Sequence, residues 1–358
     1  MVLTPGDPAP WFTVKSATRR DFQFATMAGR YGVMSFIGSA AHKAAPALLE
    51  GLRAGPYDNE FASLFLVSSD PADEAQSRIA ESRGVHVFWD CDGAVARLYG
   101  VARDEGDTRQ IDLVSLVLDP RLRVLKVVPV KDPASHGREI ADYLRTLPPP
   151  RGPGSAPALL VPRILEPDFC RRLVALYDQG NSIDSGFMRT DPATGHTILV
   201  KDHTVKRRRD VIIEDEEMRR QIQARLHRRL VPEIRKVFQF EASRIERYIV
   251  ARYEPQDGSG FRPHRDNTTK GTAHRRFAVT INLNAEAYEG GDLVFPEFGN
   301  TPWRAPTGGA VVFSCSLMHE ALPVTKGARY CFLPFLYDEA AAKIRQENSR
   351  FIDPPEET

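Results

Sequence analysis

Two domains of different architecture are predicted from the sequence: an α/β sandwich over residues 1–147 and, beyond a linker at 148–158, an antiparallel jelly roll with flanking helices over 159–358. Three observations predict this. A chain of 358 residues corresponds to about two domains, each large enough to bury a core. The run "LPPPRGPGSAPA" removes backbone donors and helical spacing together, as a joint between domains does. The apolar pattern then differs on either side of it. Before the joint, short apolar runs alternate with helix-spaced segments. From residue 245 onward strand follows strand, separated by Gly, Pro and Asn turns.

In the first half, "GVMSFIG" (32–38), "ASLFLVSSD" (62–70) and "LVSLVLD" (113–119) are short β-rich runs suited to strands buried on both faces. The segments "AAPALLEGLRAG" and "PADEAQSRIAESRG" between and after them have helical spacing and end in glycine. A net charge of +1 gives no global pull toward nucleic acid or an anionic membrane, and no apolar run is long enough to span a bilayer. The start "MVLTPGDPAPWF" lacks the basic and apolar regions of a leader, so a cytoplasmic location is expected. Four scattered cysteines without C-x-x-C spacing fit reduced, mostly buried thiols.

The stretches "GDPAPWFTVKS", "FLVSSDPADEAQSRIAESRGVHVFWDCDGAVARLYGV" and "LVSLVLDPRLRVLKV" resemble, in order, the peroxiredoxin branch of thioredoxin-fold proteins. That chemistry requires a low-pKa thiolate after the first core strand, since the thiolate attacks the peroxide. Here the stretch reads "FIGSAAHKAAPALL", without cysteine, and no arginine precedes "LVSLVLD" where the family places one. Cys91 stands between two aspartates, which disfavour its thiolate. The domain is therefore expected to be silent as a peroxidase. The resemblance implies a recognition or substrate-presenting module, with a homodimer formed through this domain as a candidate partnership.

After the joint, "EPDFCRRLVALYDQG" reads as an amphipathic helix. "DEEMRRQIQARLHRRLVPEIRKVFQF" reads as a further helical run with Met218, Ile222, Leu226, Leu230, Ile234 and Val237 on one face and a basic, solvated face opposite. The strands that follow are "RIERYIVARYEP", "RRFAVTINLN", "GDLVFPEF", "GGAVVFSC" and "ARYCFLPFLYD".

Within them lies "FRPHRDNTT". Nine histidines yield about one His-x-Asp or His-x-Glu pair by chance, so the pair alone decides nothing. On an extended segment, however, a spacing of two puts His264 and Asp266 on one face. His319 follows the strand at 311–315 and supplies a third candidate ligand. Arg329 opens the next strong strand. Two imidazoles and one carboxylate on a triangular face leave three open positions, as suits Fe(II) that must hold a co-substrate and dioxygen.

Tyr253, "PHRDN", "INLN", "EGGDLVFPEF" and "PTGGAVVFSCSLMHEALPVTKGARY" together are similar, in order and spacing, to the Fe(II)/2-oxoglutarate-dependent dioxygenases of the prolyl 4-hydroxylase-like branch. The resemblance implies His264, Asp266 and His319 as iron ligands, and Arg329 as the partner of the distal carboxylate of 2-oxoglutarate, whose two oxygens its fork matches. Tyr253 matches a residue that helps hold the co-substrate. Asn282 is placed either in that pocket or on a solvated outer face. Phe261, where relatives commonly carry tyrosine, is a wall candidate with Leu333 and Phe335. The implied cofactors are Fe(II), 2-oxoglutarate and O2, with ascorbate as an accessory candidate. The implied reaction is hydroxylation of a C–H bond with release of succinate and CO2. Retention of Asp266 argues against the halogenating variant, which needs that position free for halide.

The expected partner is an amino acid, peptide or small-molecule substrate. The polar stretch at 182–210 is expected to form a lid, with Arg207, Arg208 and Arg209, together with Asn267, at the substrate entrance. Two other readings compete: a sensor of redox state, iron or 2-oxoglutarate built on the same site, and a peroxidase in the first domain, against which the missing cysteine weighs.

Overall fold

The computed structural model describes residues 3–105, 108–150, 152 and 154–353. Of the expected linker, Arg151 and Pro153 lie outside the described residues. The chain divides into two compact units, Met1–Gly154 with Pro296–Asn300, and Ser155–Phe295 with Thr301–Thr358.

The first unit is built on a seven-stranded mixed sheet ordered Phe22–Gln23, Thr13–Ser16, Val85–Trp89, Ala62–Ser68, Tyr31–Gly38, Val114–Leu118, Val124–Pro129. The three central strands Tyr31–Gly38, Ala62–Ser68 and Val85–Trp89 run parallel, and their neighbours antiparallel. Tyr31–Ile37 and Ala62–Ser68 are buried at every position, which explains why they read as continuous apolar runs.

Helices Ala45–Arg53 and Pro133–Arg145 pack Leu48, Leu52, Ile140 and Leu144 onto Val33, Leu64 and Val87. Between those helices the backbones nearly touch: a Cβ on Gly137 would stand 1.9 Å from the Gly51 carbonyl carbon. No side chain fits that gap. The segment expected to be helical from Pro71 to Gly84 is helical only over Pro71–Ala75. Ser77 turns left-handed (φ 50°), and Arg78 folds back so that Nη1 reaches the buried Asp73 carboxylate at 3.1 Å. The buried charge is satisfied at the expense of the helix.

In the second unit a nine-stranded antiparallel sheet runs Leu159–Val161, Ala310–Ser314, Phe277–Asn282, Arg329–Phe332, Ile249–Tyr253, Arg209–Ile212, Ile183–Asp184, with Arg244–Glu246 and Phe335–Tyr337 joined beside it. A second sheet, of four strands, is ordered Lys206–Arg207, Gly260–His264, His319–Ala321, Leu293–Val294. Leu173, Ile222, Leu226 and Ile234 of the leading helices share a core with Val250, Ile281, Val312 and Phe332. Alternation then sends Arg329 and Tyr253 to the opposite face.

The long helix expected over 215–240 is two helices, Glu216–Arg229 and Val231–Phe238, joined at Leu230. Pro232 lacks the N–H that would continue the ladder, so the second helix starts afresh. Its inward residues are Ile234 and Phe238, and Val237, expected inside, is exposed. The polar stretch at 182–210, expected as a long loop, is strand-rich. Phe187–Thr190 and Thr197–Val200 form a hairpin, and Lys206–Arg207 and Arg209–Ile212 enter the two sheets.

Replacing Gly137 by Ala is expected to destabilise the first unit by about 1–3 kcal/mol, the usual cost of overpacking. Urea unfolding checks this through a lower midpoint with an unchanged slope; an unchanged midpoint means the helices separate freely.

Candidate metal centre

Gly260–His264 and His319–Ala321 are antiparallel neighbours with His264 directly opposite His319, so strand pairing brings the two imidazoles together, ring centroids 4.2 Å apart. Phe261 lies opposite Ala321, so three steps on one strand match two on the other: the pair contains a bulge. Without it Phe261 and His264 would point to opposite faces. With it their rings stack at 3.4 Å on the same side. Asp266 lies just beyond the strand end, fixed by its own N–H donating to the Cys315 carbonyl at 2.9 Å.

The Asp266 carboxylate stands between the rings, Oδ1 3.6 Å from His264 Nε2 and Oδ2 3.4 Å from His319 Nε2. One ligand atom from each of the three residues lies within 4.8 Å of the others. Nδ1 of His264 is 2.7 Å from the Arg262 carbonyl and Nδ1 of His319 3.1 Å from that of Leu317. Each Nδ1–H is therefore a donor, and each Nε2 lone pair is free to bind an ion. Three ligand atoms this close could close on a single ion. Burial and the adjacent His264 ring push the pKa of His319 down to about 4, which keeps it neutral at pH 7. Burial opposes the Asp266 charge, but the His319 and His264 imidazoles and the Arg275 guanidinium outweigh it and hold the carboxyl below its usual range. Two imidazole nitrogens and one anionic oxygen form a donor set that fits a divalent ion of intermediate softness.

The same cavity is lined by Tyr253, Phe261, Leu333, Phe335 and Arg329. Arg329 is opposite Tyr253 in the sheet, only 3% exposed, and among the described residues its Nε and Nη1 have no hydrogen-bond partner. Its guanidinium carbon lies 5.2 Å from the Tyr253 ring centroid. A buried guanidinium with idle donors is costly unless an anion meets it.

Three further cations line the cavity: Lys206, Arg208 and Arg247. Arg208 is bidentate to Asp210 (Nε–Oδ1 2.7 Å, Nη2–Oδ2 2.6 Å), and its Nη1 is 3.5 Å from the Tyr253 hydroxyl.

The entrance expected at Arg207, Arg208 and Arg209 is thus divided. Arg208 is buried in the cavity, while Arg207 and Arg209 are exposed, their guanidinium groups donating to the His203 carbonyl and to Ser182. Alternation along an extended segment explains this, and it is the signal that could have separated Lys206 and Arg208 from their neighbours. Asn267 bonds Ser316 through Nδ2 at 2.8 Å and is not among the lining residues. Asn282 is buried, its Nδ2 donating to the Ala305 carbonyl at 2.7 Å, so it occupies no solvated face; the residues of that strand that line the cavity are Ala278, Val279 and Thr280. Arg247 escaped the sequence reading, because it enters the cavity through a left-handed turn (φ 72°) that splits one expected strand into Arg244–Glu246 and Ile249–Tyr253.

The His-Asp-His set, beside a buried arginine whose Nε and Nη1 have no hydrogen-bond partner among the described residues, is a candidate mononuclear metal site in a cavity that offers donors to an anion. Residues 248–337 match the family model described as the 2OG-Fe(II) oxygenase superfamily, and this part of the chain is a 2OG-Fe(II) oxygenase domain. That family implies Fe(II), 2-oxoglutarate and O2. Over 88 residues the chain is 35% identical to a PKHD-type hydroxylase of Maricaulis maris, covering 24% of this chain and spanning 39% of that relative. Among solved structures, a prolyl-4-hydroxylase of Pseudomonas putida is 18% identical over 52% of this chain and 94% of its own, with a TM-score of 0.39. Peroxiredoxin Q of Xanthomonas campestris is 17% identical over 38% of this chain and 90% of its own, with a TM-score of 0.33.

His319 makes the metal-free protein sensitive to acid. Its folded pKa of about 4 lies below the ordinary 6.5. The unfolded chain therefore binds the proton first, and stability present above pH 6.5 is lost as pH falls toward 4, by about 3 kcal/mol. Denaturant midpoints followed over that window should drop more steeply in the parent than in His319→Gln; parallel profiles would show that His319 is not held neutral.

Proposed function

We propose that the second unit is an Fe(II)- and 2-oxoglutarate-dependent dioxygenase that hydroxylates a C–H bond of a peptidyl or free amino acid, or a related small molecule, releasing succinate and CO2. The observation that carries this reading is that Arg329, buried with idle Nε and Nη1 donors, shares one cavity with the His264, Asp266 and His319 cluster. In this reading the two sheets form a double-stranded β-helix, and residues 1–147 are a non-catalytic peroxiredoxin-like domain. The latter rests on Cys91, whose thiolate is disfavoured by burial and by the carboxylates of Glu74 and Asp90.

His264 Nε2, His319 Nε2 and one Asp266 oxygen hold the metal, and the backbone carbonyls of Arg262 and Leu317 keep both rings in the binding tautomer. Arg329 donates to the distal carboxylate of the co-substrate, with the Tyr253 ring against its guanidinium. Phe261, Leu333 and Phe335 exclude water, so the charge of Arg329 acts in a medium of low dielectric and is worth more than at the surface. When bound, Fe(II) with 2-oxoglutarate and O2 supplies the oxidising equivalents for C–H hydroxylation.

Anaerobic titration with Fe(II) and 2-oxoglutarate is expected to produce a weak visible charge-transfer band that disappears in His264→Ala and His319→Ala. In Arg329→Leu the metal still binds, but about 100-fold more 2-oxoglutarate is needed, as expected for loss of one partner of a buried charge pair. A parent protein without the band, or a band that survives both histidine substitutions, disproves the assignment.

A further inference from the structure

The cavity holds more positive charge than the assigned chemistry uses. Four cationic side chains line it, Lys206, Arg208, Arg247 and Arg329. Asp210 neutralises Arg208 through two hydrogen bonds. Asp266 faces the metal position, and the charges of a divalent ion and a dianionic co-substrate bound at Arg329 offset one another. Lys206 and Arg247 remain. Among the described residues neither has a carboxylate within 4.0 Å.

Lys206 is 4% exposed, and its Nζ donates to Ser185 Oγ (2.8 Å) and the Gly186 carbonyl (2.6 Å). An ammonium has three donors, so one is left. Arg247 donates from Nε (3.3 Å) and Nη2 (3.2 Å) to the Leu333 carbonyl, while its Nη1 makes no hydrogen bond among the described residues. Both sit beside Arg208, and burial together with that neighbour pushes the pKa of Lys206 down and that of Arg247 to about 10. Each charge is held at a cost that an anion would relieve.

We propose that Lys206 and Arg247 form a second anion subsite, for a carboxylate of the substrate, so that the enzyme acts on a free amino acid or a similar small carboxylic acid. This rests on the dioxygenase reading given above. The few idle donors, one on Lys206 and the Nη1 edge of Arg247, match the two oxygens of a carboxylate. Phe261, Leu333 and Phe335 supply an apolar wall for the rest of a small molecule. An amide bond in a polypeptide would bring no charge to this place and would leave both cations unmatched.

The test uses the full chain loaded anaerobically with Fe(II) and 2-oxoglutarate, titrated with each of the common free amino acids and with their primary amides. At least one free acid should perturb the charge-transfer band and, in air, stimulate succinate formation, while its amide binds about 30-fold more weakly or less. Lys206→Met and Arg247→Leu should each weaken binding of that acid about ten-fold or more while changing 2-oxoglutarate affinity less than about two-fold. In the metal-free protein both should raise Tm, because each removes an unpaired buried charge. Amides that bind as well as acids, variants that weaken 2-oxoglutarate instead, or a lower Tm in both variants would overturn the proposal. A parent protein with no band defeats the dioxygenase reading as well; a parent with the band but no response to any acid defeats this inference alone.

Discussion

Cross-strand register is the constraint on which the site depends. His264 opposes His319 across one sheet, and Tyr253 opposes Arg329 across the other. A slip of one residue in either pair would turn the functional side chains to the wrong face, since strand side chains alternate. Each register is enforced by burial. The Arg329 strand places Tyr330 and Phe332 in the helix-side core, so Arg329 has to face the cavity. The bulge between Phe261 and His264 departs locally from that register, and it brings an extra ring to the side of the candidate metal ligands.

Register alone would leave a cavity crowded with cations, and the surrounding network determines which of them are tolerated. Glu246 accepts from His274 Nε2 at 2.6 Å and from Arg275 Nη2 at 2.7 Å, and two of those groups, Glu246 and Arg275, hold one another in the charged form. Arg275 Nη1 in turn donates to the Asp266 carbonyl at 3.3 Å. Asp210 does the same for Arg208, with Ser185 as a shared hydrogen-bonding hub: its hydroxyl donates to Asp210 and accepts from Lys206. Glu246, His274, Arg275 and Asp210 stay outside the cavity lining, whereas Arg329, with its idle Nε and Nη1 donors, is part of it. The arrangement sacrifices stability for affinity, a trade that buried ions make only where a ligand repays it.

Much of this was legible in the sequence, and the rest was hidden for identifiable reasons. His264, Asp266, His319 and Arg329 could be read because type and spacing together are restrictive, and the β-rich runs at 32–38, 62–70 and 113–119 became strands because burial on both faces leaves an unbroken apolar signature. Arg208 was read as part of a basic run, but the alternation that buries it with Lys206 and exposes Arg207 and Arg209 was not. Arg247 was hidden by a backbone conformation that composition does not encode. The helix break at Leu230 carried a visible warning in Pro232, but an apolar spacing that continued across the break masked it and made Val237 look interior. Asn282 shows the converse failure: polarity suggested an outer face, whereas its amide serves the backbone inside.

The backbone carbonyl that anchors Asp266 belongs to Cys315, and this has a consequence for chemical durability. Thiolates are the softest ligands a protein offers and the first groups that oxidants attack. The Cys315 thiol is fully buried, and burial together with the adjacent Asp266 charge raises its pKa well above the ordinary value. It stays protonated, competes poorly for a metal, and is shielded from whatever oxidant escapes the cavity. Burial first, and the carboxylate that this hydrogen bond positions second, keep the neighbouring thiol protonated, so a cysteine can sit beside the candidate metal ligands with its reactive thiolate suppressed.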